Sequence, residues 1–278
     1  MNFPLAAFRL GNQLGSIFTP ERTVKKAGTL FLTPKRYDIK DWEVQAEKKG
    51  QRFNINENIS AIRWSNDQQD KKTNPKQILL VHGWESRATQ MYGVAQQLLN
   101  TGFDVVALDM PAHGHSKGHT SNPHMFAQTI QLAQQQLGHF EAIVGHSMGA
   151  GATAIAVGRG VSTKKMVLIS GPSSIENVLR RFASFIGLNK NGANKFVTFI
   201  SKFVGSTPQE LDTQILLKGS TIPTLIIHDE QDAEVPASES KRLASVLKNG
   251  QLMLTNNLGH RKILKSPEML KKMVSFIK

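Results

Sequence analysis

From residue 77 onward, six short apolar runs recur along the chain: Gln77–Val81, Phe103–Leu108, Ala142–Val144, Met166–Ile169, Pro223–Ile227 and Gln251–Leu254. Runs of Val, Ile and Leu that do not alternate with polar residues predict strands buried on both faces, as in a parallel sheet. Stretches of helical period lie between them. Met91, Val94, Ala95, Leu98 and Leu99 share one face, and Gly102 follows as a C-terminal stop. Phe126, Ile130, Ala133 and Leu137 form a second such face. Ser266 is placed to cap a last helix with Pro267 in its first turn and Leu270, Met273, Val274 and Ile277 along one side. Strands that alternate with amphipathic helices require right-handed crossovers. The expected fold class is therefore α/β: a doubly wound, mostly parallel sheet.

Two regions depart from this rhythm. Ahead of the repeat, Trp42–Ala46 and Ile59–Trp64 read as two strands joined by a polar turn, an antiparallel edge on the sheet. Residues 1–38 read as an N-terminal arm with room for one helix, leaving 39–278 as the main domain. Residues 172–218 form an insertion that carries helical signals and no strand. Thr207-Pro208-Gln209-Glu210 there has the spacing of a capping box. Phe182, Phe185, Phe196, Phe199 and Phe203 concentrate five of the 14 phenylalanines in the same stretch. Such a segment serves either as a short helical cap over an apolar substrate or as amphipathic helices burying their own rings.

Composition narrows the chemistry. The absence of cysteine removes disulfides, thiol nucleophiles and thiolate metal sites together. No run has the length of a membrane span, and Met1-Asn2-Phe3-Pro4-Leu5 lacks the basic and apolar regions of a secretory signal, so a cytoplasmic protein without stable membrane insertion is expected. The net charge of +13 is compatible with nucleic acid, an anionic membrane surface or an acidic substrate. Its basic residues are scattered, however, in short clusters such as Lys25-Lys26, Lys48-Lys49, Lys71-Lys72 and Lys271-Lys272. Without an aromatic-interleaved basic stripe, no nucleic-acid partner is expected and a solvated basic surface is the simpler reading.

The strongest chemical signal is Gly145-His146-Ser147-Met148-Gly149, which follows the run Ala142–Val144 and opens a small-residue helix. G-x-S-x-G between a buried strand and a helix is the strand-to-helix turn that lifts a serine hydroxyl clear of a sheet. A serine needs a base to take its proton. Among the nine histidines, His260 follows the last strand and precedes the last helix, at the sheet edge where the serine emerges. The acid belongs between them in the order Ser, Asp, His. His228-Asp229-Glu230-Gln231-Asp232-Ala233-Glu234-Val235-Pro236 supplies four carboxylates, of which Asp232 is the choice and Asp229 the rival. His113, His115, His119 and His124 cluster after the second run, but no carboxylate joins them at ligand spacing, and no metal is expected.

Over about residues 75–278 the chain resembles the serine-hydrolase branch of the α/β-hydrolase superfamily, with its esterase-, lipase- and serine-aminopeptidase-like members. The resemblance rests on His82-Gly83-Trp84, on Asp109-Met110-Pro111-Ala112-His113-Gly114-His115-Ser116 with Ala112 where glycine is usual, on the turn at Ser147, on His228 through Pro236, and on Gly259-His260. Aspartate at position 229 also replaces a usual glycine. The resemblance implies Ser147 as nucleophile, His260 as base, Asp232 as the acid that orients it, and the backbone N–H groups of Trp84 and Met148 as an oxyanion hole. It implies no cofactor. The partner would be a small-molecule ester or acyl substrate, with a thioester or amide, or an inactive binding scaffold, as the rivals.

Overall fold

The computed structural model describes residues 3–65 and 76–278. Met1, Asn2 and the Lys71-Lys72 cluster lie outside the described residues. An eight-stranded sheet in the order β1-β2-β4-β3-β5-β6-β7-β8 organises the described residues. Its strands are β1 (Gln51–Asn54), β2 (Ser60–Trp64), β3 (Gln77–Val81), β4 (Asp104–Leu108), β5 (Phe140–His146), β6 (Thr163–Ile169), β7 (Thr224–Asp229) and β8 (Gly250–Thr255). β3 to β8 are parallel to one another, and β2 pairs antiparallel with both β1 and β4. Each of the six apolar runs is the core of one parallel strand.

Strand residues alternate between two buried cores, which is why these runs carry so few polar positions. In β3, Leu79 and Val81 enter the core beneath Phe126, Ile130 and Ile155, on α5 (Pro123–Leu137) and α6 (Met148–Gly158). Ile78 and Leu80 enter the other, beneath Val94 and Leu98 of a further helix (Tyr92–Leu99, α4) and Met269 and Met273 of the last one (Pro267–Ile277, α12). The expected Ser266 cap is present, with its side chain accepting from the Met269 N–H. Chain order and strand order part company around β3: the chain moves outward from β3 to β4, then crosses back to β5. The two neighbours β3 and β5 thus flank a switch point, and crevices for ligands open at the carboxyl ends of strands there.

The antiparallel edge exists, but its outer strand is β1, not Trp42–Ala46. That segment is helical (α3, Asp41–Lys48). Its apolar–polar alternation suggests a strand, yet the residues that turn inward are Glu43 and Ala46, three apart, while Trp42 and Val44 face solvent. The Glu43 carboxylate decides this. It accepts the Lys40 N–H at the helix start and the Thr89 hydroxyl at 3.0 Å, with the Arg87 guanidinium 3.6 Å away.

The N-terminal arm holds two helices rather than one, α1 (Phe3–Phe18) and α2 (Pro20–Leu32). The insertion holds α7 (Ile175–Phe185), α8 (Lys190–Val204) and the short α9 (Thr213–Leu216). The Thr207–Glu210 capping box forms reciprocally around a single 3-10 turn: Thr207 N–H donates to the Glu210 carboxylate, and Glu210 N–H to the Thr207 hydroxyl. Arm and insertion meet. Phe182 and Phe196 pack edge-on against Phe31 of α2, and α8 approaches α2 so closely that a Cβ at Gly28 would overlap the Phe199 ring. Of the insertion's rings, Phe196 is fully buried, whereas Phe185 and Phe203 are exposed.

Candidate active site

Ser147 stands between β5 and α6 with φ 55° and ψ −124°, a region that disfavours any L-residue. Its surroundings hold it there. The Ser147 N–H donates to Ile169 O at the end of β6, 2.8 Å away. A Cβ at Gly149 would run into the carbonyl oxygens of Val81 and His82, so the first turn of α6 presses directly on the end of β3. Met148 opens α6, and its N–H is one of the four that begin a helix without an intrahelical acceptor.

His260 sits in α11 (Gly259–Lys262), after a turn in which Asn257 and Gly259 both take positive φ. Its Nε2 is 2.8 Å from Ser147 Oγ and its Nδ1 is 2.7 Å from Asp232 Oδ2. Both His260 and Asp232 are buried. A carboxylate on Nδ1 selects the tautomer with the proton there, leaving the Nε2 lone pair toward the serine hydroxyl. Burial alone would raise the Asp232 carboxyl, but hydrogen bonds from His228 and His260, and from the Val235 N–H, hold it well below the usual carboxylate range. At neutral pH it is an anion.

Asp229, the rival acid, serves the neighbouring loop. It accepts the Thr255 hydroxyl at 2.9 Å, the Leu258 N–H at 3.1 Å and the Gln231 N–H at 3.1 Å. Its carboxyl too lies below its ordinary value. Burial opposes this, and the N–H groups of Gly259 and Leu258 lead the contacts that outweigh it. The loop it pins is the one that delivers His260.

Two histidines outside the expected set complete the arrangement. His146 is buried beneath His260 and donates through Nε2 to the His260 carbonyl at 2.8 Å; burial first, and the neighbouring His260 second, push it down to about 3, so it is neutral. His228 lies with Nε2 3.3 Å from the Asp232 carboxylate and 2.8 Å from Val235 O. Position alone marks them: one is the residue before Ser147, the other is the next-to-last residue of β7, the strand that leads into the loop of Asp232.

In the His-rich stretch after β4, His115 lies 3.3 Å from the Glu47 carboxylate and His124 2.8 Å from Arg159, while His113 makes framework contacts. His113 donates from Nδ1 to Pro111 O and accepts the Glu85 N–H at Nε2, and burial pushes it down to about 3. His82 accepts the Met110 N–H at Nε2 and donates to Gly83 O, with burial pushing it down to about 4. Together they tie the segment carrying Trp84 to the loop after β4. Asp109 anchors the same loop, accepting from Ala88 N–H, His115 N–H and Arg52. No group of three or more potential metal ligands occurs among the described residues.

Residues 76–216 match the family model described as alpha/beta hydrolase fold. The chain belongs to that family. A second match, to the TAP-like protein model, spans residues 202–277. Among solved structures, Est1E from Butyrivibrio proteoclasticus with ferulic acid bound superposes with a TM-score of 0.64 at 17% identity, covering 82% of this chain and 96% of that one. An esterase from Pyrococcus furiosus gives 0.63 at 20% identity, with 88% and 98% covered. A bromoperoxidase from Bacillus anthracis gives 0.60 at 19% identity, with 82% and 99% covered. At such identities the likeness is one of fold. A comparison with curated proteins finds no match. Both family matches begin beyond residue 75, so α1 to α3 and the edge strands stand outside the matched hydrolase segment.

Proposed function

We propose that this α/β-hydrolase is a serine hydrolase of the esterase type. Ser147 attacks a carbonyl carbon while His260 Nε2 takes the hydroxyl proton. Asp232 holds the imidazole by Nδ1 and stabilises the imidazolium without itself accepting the proton. His260 returns that proton to the leaving alcohol, and water repeats the sequence on the acyl-enzyme. The N–H groups of Met148 and Trp84 are assigned to the tetrahedral oxyanion; each such donor contributes about 3 kcal/mol to the transition state.

The observation that carries the reading is the unbroken relay from Ser147 Oγ to His260 Nε2 at 2.8 Å and from His260 Nδ1 to Asp232 at 2.7 Å. A scaffold that only binds a ligand has no use for a serine kept at φ 55° with a buried, ionised acid behind its histidine. A carboxylic ester is the substrate class assigned, in keeping with the esterases among its structural neighbours. The insertion's phenylalanines say little about acyl length, because Phe182 and Phe196 are occupied by Phe31.

A fluorophosphonate probe tests the nucleophile. The protein is expected to be labelled once, and Ser147→Ala to abolish labelling. Labelling that survives the substitution removes Ser147 from the mechanism. A p-nitrophenyl ester series then reads the acyl preference; if no ester turns over, acyl-CoA and aminoacyl substrates follow.

A further inference from the structure

We propose that α1 docks the protein onto the surface of an anionic phospholipid bilayer. The helix is inside out. Leu10, Leu14, Ile17 and Phe18 recur at the spacing of a single helical face, and this face points to solvent, with exposures of 57, 47, 60 and 76%. The side turned to the protein is small and polar. Ser16 is buried against Gly192, where a Cβ would overlap its hydroxyl, and Asn12 donates to Ile186 O at 2.8 Å. An ordinary surface helix buries its leucines and shows its asparagine and serine, so α1 is built to place its apolar side in something other than water.

Charge around this face identifies the medium. α1 has no acidic residue and carries Arg9, while the exposed side of α2 presents Arg22, Lys25 and Lys26. The acid of α2, Glu21, is engaged by Lys195 of α8 at 3.0 Å. A groove of about 670 Å³ runs between the two helices, with Gly11, Gly15 and Leu30 in its lining and Arg22 and Lys26 on its walls. Apolar side chains beside a basic edge match acyl chains beneath anionic headgroups. A second copy of the chain is a poorer occupant, since two-fold pairing through this face would set basic edge against basic edge. At 1.5 Å per residue the 16-residue helix is about 24 Å long, shorter than the hydrocarbon core, so it lies in the interface and does not cross it.

Vesicle co-sedimentation of the whole protein tests this independently of any chemistry at Ser147. Phosphatidylcholine vesicles containing phosphatidylglycerol are expected to bind it at least tenfold more tightly than phosphatidylcholine alone, with binding weakened by salt. The double variant Leu14→Glu, Ile17→Glu is expected to lose at least tenfold of that binding while keeping wild-type circular dichroism and wild-type turnover of a soluble ester. Arg22→Glu with Lys26→Glu should remove the preference for phosphatidylglycerol. Absence of vesicle binding, or binding unchanged in the Leu14/Ile17 variant, overturns the proposal. So does a dimer in light scattering that the same variant dissolves, which would give the face to a second copy.

Discussion

The strand-end site and the four-helix layer of α1, α2, α7 and α8 are held together by opposite means. At the site, order comes from directed polar contacts between buried groups: Ser147, His260, Asp232, His146 and Asp229 each have a named partner within about 3 Å. In the helical layer, order comes from fit, with Phe31, Phe182 and Phe196 packed ring to ring and Gly28 yielding room to Phe199. A directed contact tolerates few residue types at each end, whereas many apolar residues of suitable volume satisfy a fit. Changes at Ser147, His260 and Asp232 should therefore show above all in rate, and changes in the layer in stability alone.

The largest effect is expected at Asp232. Asp232→Asn keeps the shape but removes the anion that selects the His260 tautomer, and kcat on a p-nitrophenyl ester should fall about 10,000-fold. Asp229→Asn weakens the acceptor of backbone N–H groups in the His260 loop. It should cost about 2–3 kcal/mol of stability and a far smaller loss of rate. Equal losses of kcat in the two variants would make the two aspartates a shared acid and blur the line between chemistry and scaffold.

The layer gives the converse test. Phe196→Ala should lower the unfolding free energy in urea by about 3–5 kcal/mol, while the folded fraction keeps its rate of labelling at Ser147. A comparable loss of labelling rate in protein still folded would mean that α8 packing sets the geometry at Ser147, and the contrast would fail.

Glu239 joins the two regions. It lies on α10 (Ser238–Ala244) behind β7, is buried, and accepts the Ser173 N–H and hydroxyl together with Arg181 of α7 and Arg242. Burial would raise its carboxyl, but the Ser173 hydroxyl, Arg242 and Arg181 outweigh that and hold it down at about 2. A carboxyl with a folded value below its unfolded one adds stability at pH above the unfolded value and loses it as pH falls toward the folded one. Glu239→Gln should thus cost about 3 kcal/mol at pH 7, with the deficit shrinking below about pH 4.5 and closing near pH 2. Urea unfolding across that range reads it; a deficit constant with pH would mean that shape, not charge, joins the regions.

The same contrast explains what the sequence makes legible. Six parallel strands and the strand-to-helix turn at Ser147 are readable because buried strands and a left-handed turn admit few residues, and Ser147, His260 and Asp232 lie within hydrogen-bond reach of one another. Trp42–Ala46 misleads because its apolar alternation is local, while the contacts of Glu43 with Thr89 and Arg87 come from 46 and 44 residues away. Residues 1–38 conceal two helices because α1 carries its apolar stripe outward, and a stripe does not say which side faces the protein. His146 and His228 pass unnoticed as supports since each acts through a backbone carbonyl or a carboxylate that only the fold brings near.

Ala112 gives the smallest effect and the finest probe of how tightly the framework constrains its residues. The family motif that this loop resembles has glycine at this place, and a φ of +65° at Ala112 fits such a preference: the loop after β4 takes the left-handed region there. An alanine in that region costs about 1–2 kcal/mol, while glycine's greater freedom in the unfolded chain returns about 0.4–1 kcal/mol of that. Ala112→Gly should therefore stabilise the protein by about 0.5–1 kcal/mol, a rise of a few degrees in melting temperature. Ala154→Gly, inside α6, should lower stability by about 1 kcal/mol or more, because glycine is disfavoured in a helix and the buried methyl is lost. If Ala112→Gly destabilises instead, the methyl of Ala112, buried beside Gly118, is contributing more through packing than its backbone strain costs, and fit rather than directed contact governs even this loop.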